Sequence, residues 1–148
     1  MPAACKNRGV IDRSLFGDEH VRRYRETDGE EGFDWREGSH ILILTTTGRK
    51  SGREIDSPLI FGEDDGRYVV VASKGGAPQH PGWFLNLRES PEVDVQVKAD
   101  RFRARSRVAE GEERERLWEM MNGHWRHYAE YQEKTDRQIP VVVLERIS

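Results

Sequence analysis

The apolar residues of this chain gather into short runs of β character separated by polar turns. Across 92–99, Val93, Val95 and Val97 alternate with Glu92, Asp94, Gln96 and Lys98, a pattern that buries one face of a strand and wets the other. The next run repeats it, with Phe102, Ala104, Ser106 and Val108 on one side and Arg103, Arg105 and Arg107 on the other. That arginine row reads either as a solvated sheet face or as a surface for a partner. Together with runs at 40–47, 54–61, 67–74 and 139–147, these make six expected strands, at 92–99 and 102–109 in the second half. The connections after the first, second and fourth strands are too short for a parallel crossover, so the sheet is antiparallel. The expected fold is mainly β within the α+β class: an antiparallel split β-barrel of six or more strands, closed or nearly so, with peripheral helices.

Helical spacing occurs at 112–134, where Leu117, Met121, Trp125 and Tyr128 form one stripe, Glu112 and Glu113 suit the first turn, and Gly123 marks a candidate break. A shorter helix is expected to start with Pro81 as its first residue and to carry 83–87. Residues 18–36 form a very polar, partly helical arm punctuated by Asp28 and Gly29, and 1–17 read as irregular. The expected organisation is an arm over 1–39 and a barrel domain over 40–148.

At 148 residues the chain has room for one core. Its net charge of −3 offers no global field for nucleic acid, so an anion site has to be a local basic cluster. The single cysteine, Cys5, cannot form an internal disulfide, and the first 17 residues lack a secretory apolar segment, so a reducing cytoplasm is expected. The longest apolar run, 41–44, is too short for an integral membrane segment. The five histidines are scattered, and His124 and His127 lack the i, i+4 spacing of helical ligands, so no metal site is expected. No Gly-x-Ser-x-Gly elbow exists to support hydrolase chemistry.

Two glycine-marked loops carry the candidate chemistry. The first, 48–53, holds Arg49, Lys50, Ser51 and Arg53 between permissive glycines, a composition suited to phosphate or carboxylate and equally to a plain hairpin turn. It is no P-loop, because Lys50 precedes the second glycine and a strand follows. The second, 74–83, runs from Lys74 through Gly75, Gly76 and Gly82 to Trp83, with Asn86 beyond; it lets backbone approach a ligand and presents an indole face. On the C-terminal helix, Trp125, Tyr128 and Tyr131 share a face, either as core or as a substrate wall with two phenols able to protonate a polar substrate.

Several strings in order resemble the deazaflavin-dependent nitroreductase and quinone reductase family. They are Leu44 to Gly52, Ser57-Pro58-Leu59-Ile60, Val70 to Pro78, His80-Pro81, Trp83-x-x-Asn86-Leu87, Tyr128-x-x-Tyr131-Gln132-x-x-Thr135 and Ile139 to Val142. The resemblance covers about 40–147, and 19–35 is similar to the arm of a cytosolic subgroup. It implies a split β-barrel that binds coenzyme F420, an 8-hydroxy-5-deazaflavin with a phosphodiester and oligoglutamate tail, and passes a hydride to a small-molecule acceptor such as a quinone or nitroaromatic. By the family pattern Arg49, Lys50, Ser51 and Lys74 face the phosphate or tail. Ser57, Pro58, Leu59, Ile60, Val71, Ala72, Ser73, Trp83, Phe84 and Asn86 line the deazaflavin and its linker. Tyr128 and Tyr131, with Ser73, contact the substrate and help deliver the proton, and Trp125 closes the pocket.

Two positions depart from the pattern: Ile55 replaces an arginine that grips the phosphate, and Phe84-Leu85 replace Tyr-His. Arg53, two residues before Ile55 on an extended chain, is the candidate replacement cation. The rivals are an FMN-binding split-barrel oxidoreductase and a non-catalytic deazaflavin carrier; a homo-oligomer is left open.

Overall fold

The computed structural model describes residues 17–147. The irregular stretch expected at 1–17 falls, as far as residue 16 and with Cys5, outside the described residues. The chain runs α1 (Gly17–Thr27), β1 (Ile41–Thr47), β2 (Glu54–Asp64), β3 (Arg67–Val71), α2 (Gly82–Glu89), β4 (Glu92–Val97), β5 (Asp100–Val108), α3 (Gly111–His124), α4 (Tyr128–Glu133) and β6 (Val141–Arg146). The strands close an antiparallel barrel in the order β1-β2-β3-β6-β5-β4. Closure comes from β1 pairing with β4, Leu44 opposite Val95, which leaves no edge strand.

Strand composition follows from what covers each face. Inward residues Leu42, Leu44, Val70, Val93, Val95, Phe102, Ala104, Val142 and Leu144 fill the barrel, and α2 plugs it with Trp83, Phe84 and Leu87. On β1, β3 and β6 the outward face is buried as well, so these strands read as unbroken apolar runs. Ile41 and Ile43 lie under Val21 and Tyr24 of α1. Val69, Val71, Val141 and Val143 lie under Leu117 and Met121 of α3 and Tyr128 of α4. The middle of the β4–β5 hairpin is open to solvent outside and keeps the alternation. Its arginines pair across the strands, Arg103 with Glu92 and Asp94, and Arg105 with Glu92, so the row behaves as a solvated face.

Several local expectations are corrected. Gln96, on the wet side by alternation, is buried because Arg25 of α1 donates to its Oε1 at 2.8 Å, while its Nε2 donates to the Lys98 carbonyl. Val108, expected inside, is exposed at the strand end. Arg107 leaves the solvated row to pair with Glu113 of α3 at 2.7 Å. Pro81 caps α2 in an extended conformation, and the helix starts at Gly82. The 112–134 segment breaks at Trp125, not at Gly123, because Trp125 takes extended dihedrals as the C-cap of α3.

Candidate functional site

A cavity of about 500 Å³ opens on the outside of the barrel wall, between α1 and the α3–α4 corner. Its floor is Pro58, Leu59 and Ile60 of β2 with Val71 of β3; Ser73, Lys74, Gly75, Pro81 and Trp83 come from the second loop. Trp125, Tyr128 and Tyr131 form one wall, and the arm supplies Gly17, His20 and Trp35 opposite. The fold thus brings together the β2 segment, the second loop and the aromatic face that the sequence marked separately.

The first loop joins this group through Asn86. Its Oδ1 accepts from the Arg49 backbone N–H at 3.1 Å and from the Arg49 guanidinium at 2.8 Å, and its Nδ2 donates to Thr46 Oγ1 at 3.1 Å. Arg49 also reaches the Gly82 carbonyl. Asn86 is therefore the brace that fastens the 48–53 turn to α2. The turn closes on itself where Gly48 donates to the Arg53 carbonyl and Arg53 N–H donates to Ser51 Oγ. Ile55 follows with 43% of its surface exposed. Among the described residues, most arginines elsewhere form ion pairs, whereas Arg49, Lys50, Arg53 and Lys74 have no carboxylate partner. Of the remaining expected site residues, Ser57 is half-buried on β2, while Ala72 and Phe84 are buried in the barrel core and hold the site from behind.

In the second loop Lys74, Gly75 and Gly76 take positive φ of 48°, 64° and 86° in succession. A side chain at position 76 is excluded on two counts: that φ, and a Tyr131 carbonyl 2.7 Å from where the Cβ would lie. The turn is thus pressed against α4.

The two phenols differ. Tyr128 is buried, its hydroxyl makes no hydrogen bond among the described residues, and burial with Tyr131 alongside pushes its pKa well above the usual phenol value, so it stays protonated. Tyr131 Oη accepts from Trp125 Nε1 at 3.3 Å, which leaves its own proton to donate.

The sequence did not single out the arm's contribution. His20 bonds to the Gly32 carbonyl at 2.8 Å and packs at a tilt against Trp35, and burial lowers its pKa, so it is held neutral. Tyr24, its hydroxyl donating to the Ile41 carbonyl and accepting from Lys98 N–H, has its pKa pushed up to about 12 by burial. Glu37 clasps the corner opposite: it bonds to His127 Nε2 at 2.7 Å and accepts from Arg126 Nε at 2.8 Å, with Glu130 on the other side of His127. Only long-range contacts reveal these pairs, and no local motif announces them. Among the described residues no group of three or more His, Cys, Asp or Glu is placed to hold a metal.

The aromatic cavity thus carries Lys74 in its lining, and the first turn, with Arg49, Lys50 and Arg53, is fastened to the helix that supplies Trp83. The family described as F420H(2)-dependent quinone reductase matches residues 17–146. The chain belongs to this family. An F420H(2)-dependent quinone reductase of Mycobacterium tuberculosis is 37% identical over 130 residues, 86% of this chain and 87% of that protein. A solved F420-H2 dependent reductase is 46% identical with a TM-score of 0.66, covering 71% of this chain and 93% of the other. A second solved chain, described as a domain-swapped dimer, is 43% identical with a TM-score of 0.69, covering 84% and 96%. HutZ of Vibrio cholerae, at 14% identity and a TM-score of 0.56 over 90% of this chain and 92% of its own, shares the fold alone. The quinone reductase family match begins at α1, so the arm from Gly17 onward is part of the family pattern.

Proposed function

We propose that this chain reduces small quinones with electrons from reduced coenzyme F420. The observation that carries the reading is an aromatic cavity lined by Lys74, Tyr128 and Tyr131, with the cation-bearing first turn fastened through Arg49 to Gly82 and Asn86 of the helix whose Trp83 lines that cavity. The residues present fit the coenzyme: Trp83 and the β2 floor suit a flat tricyclic ring, and Arg49, Lys50, Arg53 and Lys74 suit an anionic tail. When bound, the coenzyme supplies the hydride.

The protein's own part is position and a proton. Pro58, Ile60 and Val71 offer apolar surface that excludes water from one side of the cavity. Tyr128, kept neutral by burial, holds a proton at its Oη; Tyr131, oriented by the Trp125 indole, offers a second. Ser73 lines the cavity beside Lys74 and completes the polar edge.

In this reading the electron acceptor is a small molecule and the protein works in the cytoplasm, as the single cysteine suggests; among the described residues no helix is long and apolar enough to cross a membrane. The test is a titration of the purified protein with F420 and, in parallel, FMN, followed by menadione reduction with the reduced coenzyme. Binding of F420 with quinone turnover supports the reading. Preferential FMN binding points to the flavin alternative, and F420 binding without turnover to a carrier.

A further inference from the structure

Against the second loop lies Arg137. Its Nε donates to the Ala77 carbonyl at 2.9 Å, one Nη to the Ala72 carbonyl at 3.2 Å and to His80 Nδ1 at 3.0 Å, and the other Nη to the Ser73 carbonyl at 2.8 Å. It faces no carboxylate among the described residues, so a full positive charge rests on neutral partners alone. His80 is held neutral, first by burial and then by the Arg137 charge, which leaves its ring nitrogen free to accept.

The peptide unit is planar and trans, so a carbonyl turned toward Arg137 turns the N–H of the same unit the other way. The carbonyls of Ala72 and Ser73 therefore send the N–H groups of Ser73 and Lys74 away from Arg137, and both residues line the cavity. Ser73 is in the right-handed helical region and Lys74 in the left-handed one, a succession that makes consecutive N–H groups converge into an anion-accepting concavity. None of the N–H groups of Ser73, Lys74 and Gly75 has an acceptor among the described residues. Meanwhile the carbonyls of Ser73 and Lys74 are taken up by Gly76 and Ala77.

We propose that Arg137 is a positioning residue for coenzyme binding: it turns the 72–75 backbone so that the N–H groups of Ser73 and Lys74 receive an electron-rich oxygen of the coenzyme. The proposal rests on the F420 reading of the cavity. Lysine keeps the charge but lacks the planar fork that holds three carbonyls at once, so Arg137→Lys loses the geometry and retains the electrostatics.

The experiment uses the full chain carrying Arg137→Lys or Arg137→Ala. Three quantities are read: the dissociation constant for F420, the KM values for coenzyme and for menadione, and the rate of trypsin cleavage after Lys74 in coenzyme-free protein. In both variants the F420 dissociation constant and KM rise about tenfold or more, the menadione KM is unchanged, and cleavage after Lys74 accelerates. Added guanidinium ion restores part of the affinity of Arg137→Ala. Should Arg137→Ala fail to fold, Arg137→Lys carries the test. Variants that fold, bind F420 as the wild type does and resist trypsin equally overturn the Arg137 proposal alone; a wild-type protein that takes no F420 overturns the functional reading beneath it.

Discussion

The Tyr128 hydroxyl lies in an apolar wall with no hydrogen-bond partner among the described residues, and burial keeps its proton in place. Replacing it with phenylalanine breaks no internal hydrogen bond and removes a buried hydroxyl, so unfolding stability should not fall. Menadione turnover should fall by about a hundredfold, the scale of a lost general acid, with F420 affinity retained. Steady-state kinetics beside a binding titration reads this directly, and unaltered turnover removes Tyr128 from the proton path. At the first loop, Arg53 ends an exposed turn immediately before β2, two residues ahead of Ile55. Arg53→Ala should weaken coenzyme binding by about 1–3 kcal/mol, as expected for a lost charge-assisted hydrogen bond. Equal affinity on titration eliminates it as the replacement cation. Glycines, cations and aromatics at these loops were legible because each type announces its use locally. Arg137 was not, since its partners lie 57 to 65 residues away and its own neighbourhood reads as an ordinary polar turn.

Among the elements, the arm and the α3–α4 corner are joined by Glu37, His127 and Arg126. The Glu37 hydrogen bond, aided by Glu130 and opposed by burial and Arg126, raises the His127 pKa. That contribution is full below the ordinary histidine value and is lost as pH rises through the raised one. Glu37 is lowered, by His127 first and Arg126 second, so its share is full above the ordinary carboxylate value and is lost as pH falls through the lowered one. The clasp is therefore strongest at mildly acidic pH. Amide exchange across 35–39, corrected for its intrinsic pH dependence, should accelerate from mildly acidic to mildly alkaline pH, and His127→Ala should flatten that trend. The strands and the main helices were readable from periodicity, but the break at Trp125 was not. Gly123 has the weaker helix propensity, yet the helix runs through it and ends at Trp125, whose indole lines the cavity and is bonded to Tyr131. Gln96 failed the alternation rule for a similar reason: a helix from the arm covers it.

At the scale of the whole molecule, a chain of net charge −3 pairs most of its described arginines with carboxylates, whereas Arg49, Lys50 and Arg53 of the first turn and Lys74 of the cavity have no carboxylate partner among the described residues. Attraction of a polyanionic coenzyme to this cluster is screened by salt. Raising the sodium chloride concentration should therefore increase the KM for F420 and leave the KM for neutral menadione unchanged; parallel salt effects on both would argue against the cationic cluster as the coenzyme grip. The six-stranded architecture followed from the apolar runs, whereas the placement of the cavity outside the wall did not, because it depends on which outer faces the helices cover. That placement separates two jobs. The barrel interior is filled by side chains and the proposed coenzyme cavity lies against the outer wall, so the chain completes its hydrophobic core without any cargo. On the proposed reading, loading can follow folding: the chain needs no coenzyme to hold its shape, before the coenzyme arrives or after it leaves.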